Sequence, residues 1–259
     1  MNNSGLLKAL LGVTLVLTMQ ACNLPSNTPT PTADTSSAGS GPAPASSGAN
    51  ACSNNLYPVV NGAAWNYSVT GVANDTFTHS IKDVTTDGFT DQDVFASGAT
   101  RTGEWKCQDG ALIALSPLTG PSGAVTANNL TANFTTTNMS GVTLPANVKS
   151  GDTWSQQFDI EGTQSVGGQD VDAKGKVDFN CTAGATESAT VAAGAFDAQR
   201  VDCKVNLNIS VSVGGLQVPT SFAGDTTMWY APGVGLVKME GSIPNIGSTS
   251  IELTAYNIP

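Results

Sequence analysis

Five cysteines, one histidine and a few close carboxylate pairs are the residues of this chain with chemistry to offer. Cys22 follows the small residue Ala21 just beyond an apolar stretch, Ala9 to Met19, and its thiol is expected to carry a lipid. The other four, Cys52, Cys107, Cys181 and Cys203, form an even set, which favours disulfides in an oxidising compartment. Spacing leaves their connectivity open. Cys52 with Cys107 and Cys181 with Cys203 is preferred, because the second pair flanks a predicted hairpin. Zinc needs close Cys or His spacing, and His79 is the single histidine, so no metal and no other cofactor is expected. His79 lies in the polar run Asn74 to Asp83 without a triad context and reads as a surface residue. Asp91 with Asp93, and Asp170 with Asp172, lack the ligand density of a calcium loop and read as solvated strand edges and turns rather than acid–base pairs. There is no phosphate-cradling glycine motif. The chain is accordingly expected not to be an enzyme.

The elements around these residues begin with a leader over 1–21, in which a basic residue precedes an apolar stretch and a small residue precedes Cys22. Eleven residues from Ala9 to Met19 are too few to cross a bilayer, which takes roughly 20 in a helix. Residues 22–51 hold the lipidated cysteine and a Ser/Thr/Pro/Ala/Gly linker that has too little apolar surface to offset its ordering entropy. Residues 52–259 have the length of one β domain. Twenty acidic against ten basic residues give a net charge of -10, which repels a phosphate backbone, so nucleic acid is not an expected partner.

The β signal is period two. Val205, Leu207, Ile209, Val211 and Val213 alternate with Asn206, Asn208, Ser210 and Ser212, which predicts a strand with one dry and one wet face. Val171, Ala173, Val177, Phe179 and Cys181 share a parity, so that two inward cysteines can meet on neighbouring strands. Ala193-Gly194 reads as a hairpin turn, Pro232-Gly233 as a type II turn, and Thr249 to Tyr256 as the closing strand. No segment after the leader carries a capped helical period. Gly62 before Trp65 is echoed by Gly151 before Trp154, which suggests two similar halves, 57–140 and 141–259, in one continuous sheet. The fold class expected is all-β: a curved antiparallel sheet, half-barrel or sandwich.

Gly62, Trp65 and Tyr67, then Val191, Gly194, Phe196, Arg200 and Val201, and finally the run Trp229 to Lys238 resemble the motifs of uncharacterised β-rich lipoproteins of the bacterial envelope. The resemblance implies a curved antiparallel sheet, similar in some members to half-barrels that carry lipids or lipoproteins. It brings no catalytic residue with it. The resulting expectation is an envelope lipoprotein held on a membrane through Cys22 and facing the periplasm or exterior. An apolar or lipid-like ligand would lie against Trp65, Trp154, Phe158 and Trp229; alternatively, the domain contacts envelope proteins and has no small-molecule ligand.

Overall fold

The computed structural model describes residues 51–259 apart from 73, 129–131, 167 and 245–246; for 124, 126–128, 132 and 166 the backbone alone is described. The leader, Cys22 and nearly all of the linker lie outside the described residues.

Period-two sequence becomes twelve strands: β1 (Ala64–Gly71), β2 (Asp75–Lys82), β3 (Gly88–Phe95), β4 (Thr100–Gln108), β5 (Ala111–Ala114), β6 (Ala132–Gly141), β7 (Thr153–Val166), β8 (Gln169–Val191), β9 (Gly194–Val213), β10 (Leu216–Ala231), β11 (Gly235–Ile243) and β12 (Gly247–Asn257). All pairings are antiparallel between neighbours in the chain, and β12 returns to pair with β1. Only β5 and β6 are not joined along their length. There the Leu112 N–H donates to the Leu144 carbonyl at 2.9 Å and the Leu144 N–H returns the bond at 3.1 Å. The expected curved sheet is thus a nearly closed up-and-down barrel. The unpredicted element is a helix, α1 (Gly120–Asn128), inserted at the β5–β6 break. Its sequence, GPSGAVTAN, has no charge and no apolar face, so it gives no helical signal.

The turn glycines do what only glycine does cheaply. Gly62 and Gly151 both have left-handed φ, 82° and 90°, and each is followed by a strand whose second residue is tryptophan. The echo is therefore real in the backbone but not in the packing, because Trp65 is buried and Trp154 only half-buried. The β8–β9 turn falls on Ala192 and Ala193, one residue earlier than expected, and the Ala193 N–H donates to the Leu253 carbonyl at 3.1 Å. Inside the barrel Trp65, Tyr67, Phe77, Phe89, Trp105 and Phe158 form one core with the aliphatic residues of β11 and β12. Burying each such side chain contributes about 1.5–3 kcal/mol. Disulfides join Cys52 to Cys107 and Cys181 to Cys203; the second links directly opposed residues of β8 and β9.

The strands are unequal. β8, β9 and β10 run for 23, 20 and 16 residues and outreach their neighbours. Their register carries inner-face rows across five strands: Phe134–Gly162–Ala173–Val211–Val218, Thr136–Ile160–Gly175–Ile209–Thr220, and Met139–Phe158–Val177–Leu207–Phe222. None of these rows holds a charge. β10 pairs with β9 from Leu216 to Tyr230 but with β11 only from Asp225 to Ala231. Among the described residues, Leu216 to Gly224 has no strand on its second side.

Candidate functional site

Two places combine an unusual environment with groups that can act: a polar chain sealed in the barrel, and the open edge of β10. The first is built on positions where alternation puts apolar side chains. Phe77, His79 and Ile81 share the inward parity of β2, and Phe89, Asp91, Asp93 and Phe95 that of β3. His79 faces Asp93 in register, and its Nδ1 lies 2.8 Å from Asp93 Oδ1. Its Nε2 lies 2.6 Å from the Tyr57 hydroxyl. With Asp93 ionised, Nδ1–H donates to the carboxylate and the neutral ring accepts the tyrosine proton at Nε2. Asp91 accepts from the Trp105 Nε1–H at 2.7 Å through Oδ2, whereas its buried Oδ1 has no hydrogen-bond partner among the described residues. Gly103 lies opposite, and a Cβ there would collide with Asp91 Oδ1 and the Thr119 methyl.

These groups are not at the surface, which corrects two expectations: His79 is 1% exposed, and the Asp91–Asp93 pair is interior rather than a solvated edge. Asp170 and Asp172, by contrast, are exposed as expected. Burial alone would lower the His79 imidazole, but the Asp93 carboxylate outweighs it and its pKa is raised. Burial also raises Asp91, against the attraction of His79, and pushes the Tyr57 and Tyr67 phenols well up. Asp93–His79–Tyr57 has the order of a nucleophile relay, but Tyr57 is buried, its ring packed among those of Trp65, Phe89 and Trp105 at centroid separations of 5.9–6.3 Å. The free space beside Tyr57 and Trp105 is about 90 Å³, enough for a few waters. Among the described residues, no group of three or more His, Cys, Asp or Glu is placed to hold a metal ion.

Of the four aromatics considered for a ligand, two lie in the core and two, Trp154 and Trp229, pack against it. Trp65 and Phe158 are core residues, and the Trp65 Nε1–H donates to the Val234 carbonyl at 2.6 Å. Trp229 has the opposite parity to Met228 and Tyr230; its Nε1–H donates to Glu187, and the Lys238 Nζ sits 5.2 Å above its ring. Trp154 donates to the Thr143 carbonyl and borders an open groove of about 860 Å³ across β7 to β10. That groove is mixed: Trp154 and the Cys181–Cys203 disulfide line it beside Thr182, Asp202, Lys204, Asp225 and Thr227, and a Lys204–Asp225 ion pair of 3.1 Å lies in its wall.

The second place is the edge of β10. Gly214 and Gly215, with φ of 59° and 82°, make a two-residue turn that pairs Val213 with Leu216. Counting on from that hydrogen-bonded pair, Gln217, Pro219, Ser221 and Ala223 aim their backbone groups away from β9, toward the open side. Pro219 thus stands where its missing N–H costs no bond to β9. On the inner face of the same segment Leu216, Val218 and Phe222 are 72%, 43% and 42% exposed. None of these was singled out from sequence. The signal was present as alternation through Leu216, Val218 and Phe222, with Pro219 in the middle making the run look unlike a strand.

Comparison with known proteins agrees with the fold. Two solved structures superpose with a TM-score of 0.50: a protein from Bacteroides fragilis described as exported and of YmcC-like fold, and one from Parabacteroides distasonis described as a lipoprotein. The first is 15% identical, over 78% of this chain and 98% of its own; the second is 19% identical, over 79% and 99%. No curated protein matches the chain. The DUF3108-like family model matches residues 62–245, from the glycine before Trp65 to the end of β11 and the turn beyond it, and the chain belongs to the DUF3108-like family.

Proposed function

We propose that this chain is an envelope lipoprotein, held on a membrane by acylated Cys22, whose barrel is a protein-interaction module that performs no catalysis. The leader, Ala21-Cys22 and the linker support the anchor, as do the descriptions of the two structural neighbours as exported and as a lipoprotein. The observation that carries the interaction reading is the uncharged edge of β10, which among the described residues has no strand on its second side and exposes Leu216, Val218 and Phe222 on its inner face. A drug-sized apolar ligand needs on the order of 300 Å³. The pocket beside Tyr57 and Trp105 offers about 90 Å³, and the four aromatics expected to line a ligand site lie within or against the packed core. Sealed inside the core, the Tyr57–His79–Asp93 chain is read as structural.

A photoreactive residue at position 218, in the full chain expressed in its own envelope, tests the proposal. The expected product is a crosslink to a polypeptide, while the same probe at Ser188, on the exposed part of β8, gives none. A lipid adduct at 218, or no adduct at all, contradicts it.

A further inference from the structure

We infer that the open edge of β10 pairs with the same edge of a second copy of this chain, joining two barrels through a continuous antiparallel sheet. The inference rests on the interaction reading above and names the partner.

An exposed strand edge offers unsatisfied backbone groups to any other strand, and proteins usually blunt it with charge, proline or cover. Leu216 to Gly224 contains no charged residue, in a chain whose net charge is -10, and its one blunting residue, Pro219, removes a single donor from the open side. It is thus a segment along which two copies can approach without like charges meeting. It spans nine residues, about 30 Å of strand. β11 already pairs with the adjoining stretch of β10 as far as Asp225 and ends with Ile243 beside Gly224, so a strand added along Leu216 to Ala223 continues an existing line of pairing.

The edge is also self-complementary. With the twofold axis at Thr220, Gln217 faces the second copy's Ala223 and Pro219 faces its Ser221, and the symmetric pairs repeat. Four such pairs carry two bonds each; the two Pro219 nitrogens remove one apiece, leaving six. Leu216, Val218 and Phe222 of both copies then lie on one face, where each covers apolar surface that is open in the single chain. A strand makes these bonds, whereas an alkyl chain leaves the edge groups unpaired. Pairing about a twofold axis uses this edge in both copies and closes on itself, so it yields a dimer and not a filament.

The axis at Thr220 makes the test specific. In that register Thr220 meets its symmetry mate in a non-hydrogen-bonded pair, with Cα atoms about 4.5 Å apart, inside the range a disulfide spans. In the leader-cleaved full chain carrying Cys22→Ser, Thr220→Cys is expected to form a disulfide-linked dimer, while Ser188→Cys stays monomeric. Light scattering is expected to give a dimer mass for Cys22→Ser alone and a dimer at least tenfold weaker for Phe222→Asp, with unchanged far-UV circular dichroism. A monomer at every concentration together with no Thr220→Cys crosslink overturns the inference. So does a dimer indifferent to both Val218→Asp and Phe222→Asp. If the probe at 218 instead captures a polypeptide of different mass, the second-copy inference falls while the interaction reading stands; a lipid adduct ends both.

Discussion

His79 divides its ring nitrogens between Asp93 and Tyr57, so its proton is tied to the packing of β1, β2 and β3 and of the segment before β1. Its raised pKa means the folded chain holds that proton to higher pH than the unfolded chain, whose imidazole titrates near 6.5. Within that window the folded state binds more protons, so this contribution to stability is complete below pH 6.5 and is lost as pH rises through the folded value. Asp91 acts in the same direction from its ordinary 3.8 upward, because burial disfavours its charged form. Urea unfolding of the full chain should therefore show a midpoint that declines as pH increases above 6.5, and His79→Gln should flatten that decline. A wild-type midpoint that climbs across the same range contradicts the assignment. Asp93→Ala, which leaves a buried imidazole without its carboxylate, is expected to cost about 3–5 kcal/mol at pH 6, read from the same curves.

At the scale of elements, the β8–β9 hairpin carries the barrel's longest strands and is pinned by Cys181–Cys203. Replacing both cysteines by alanine releases a 22-residue separation and is expected to lower stability by about 3 kcal/mol, while a change under about 0.5 kcal/mol shows that pairing alone holds the hairpin. That hairpin was the most legible part of the sequence. In β9 aliphatic and Asn/Ser residues alternate without exception from Val205 to Val213, so face, register and the meeting of the two cysteines follow from parity. The sealed polar chain was hidden by the same rule. His79, Asp91 and Asp93 occupy dry-face positions; of their partners, Trp105 lies on β4 next to β3, while Tyr57 comes from the irregular segment before β1, which no alternation places. Residue type suggested solvent where parity, set by Phe77 and Ile81 and by Phe89 and Phe95, pointed inward. The open edge of β10 was hidden differently. Whether a strand has a neighbour on its second side depends on where β11 stops, a property of the sheet and not of residues 216–224.

For the whole molecule, a meander that nearly closes removes almost every exposed edge, and the β5–β6 break is bridged by Leu112 and Leu144. Leaving Leu216 to Ala223 of β10 uncharged and, among the described residues, without a strand on their second side is the departure that the interaction reading explains. The most direct measurement is amide hydrogen exchange over residues 216–224, comparing the chain diluted after purification with the chain in intact envelope vesicles. Occupancy of the edge slows exchange at Gln217, Ser221 and Ala223 in the vesicles, while the outer-face segment around Ser188 is unchanged. Equal, fast exchange at those three amides in both states contradicts the proposal that the edge is a contact surface.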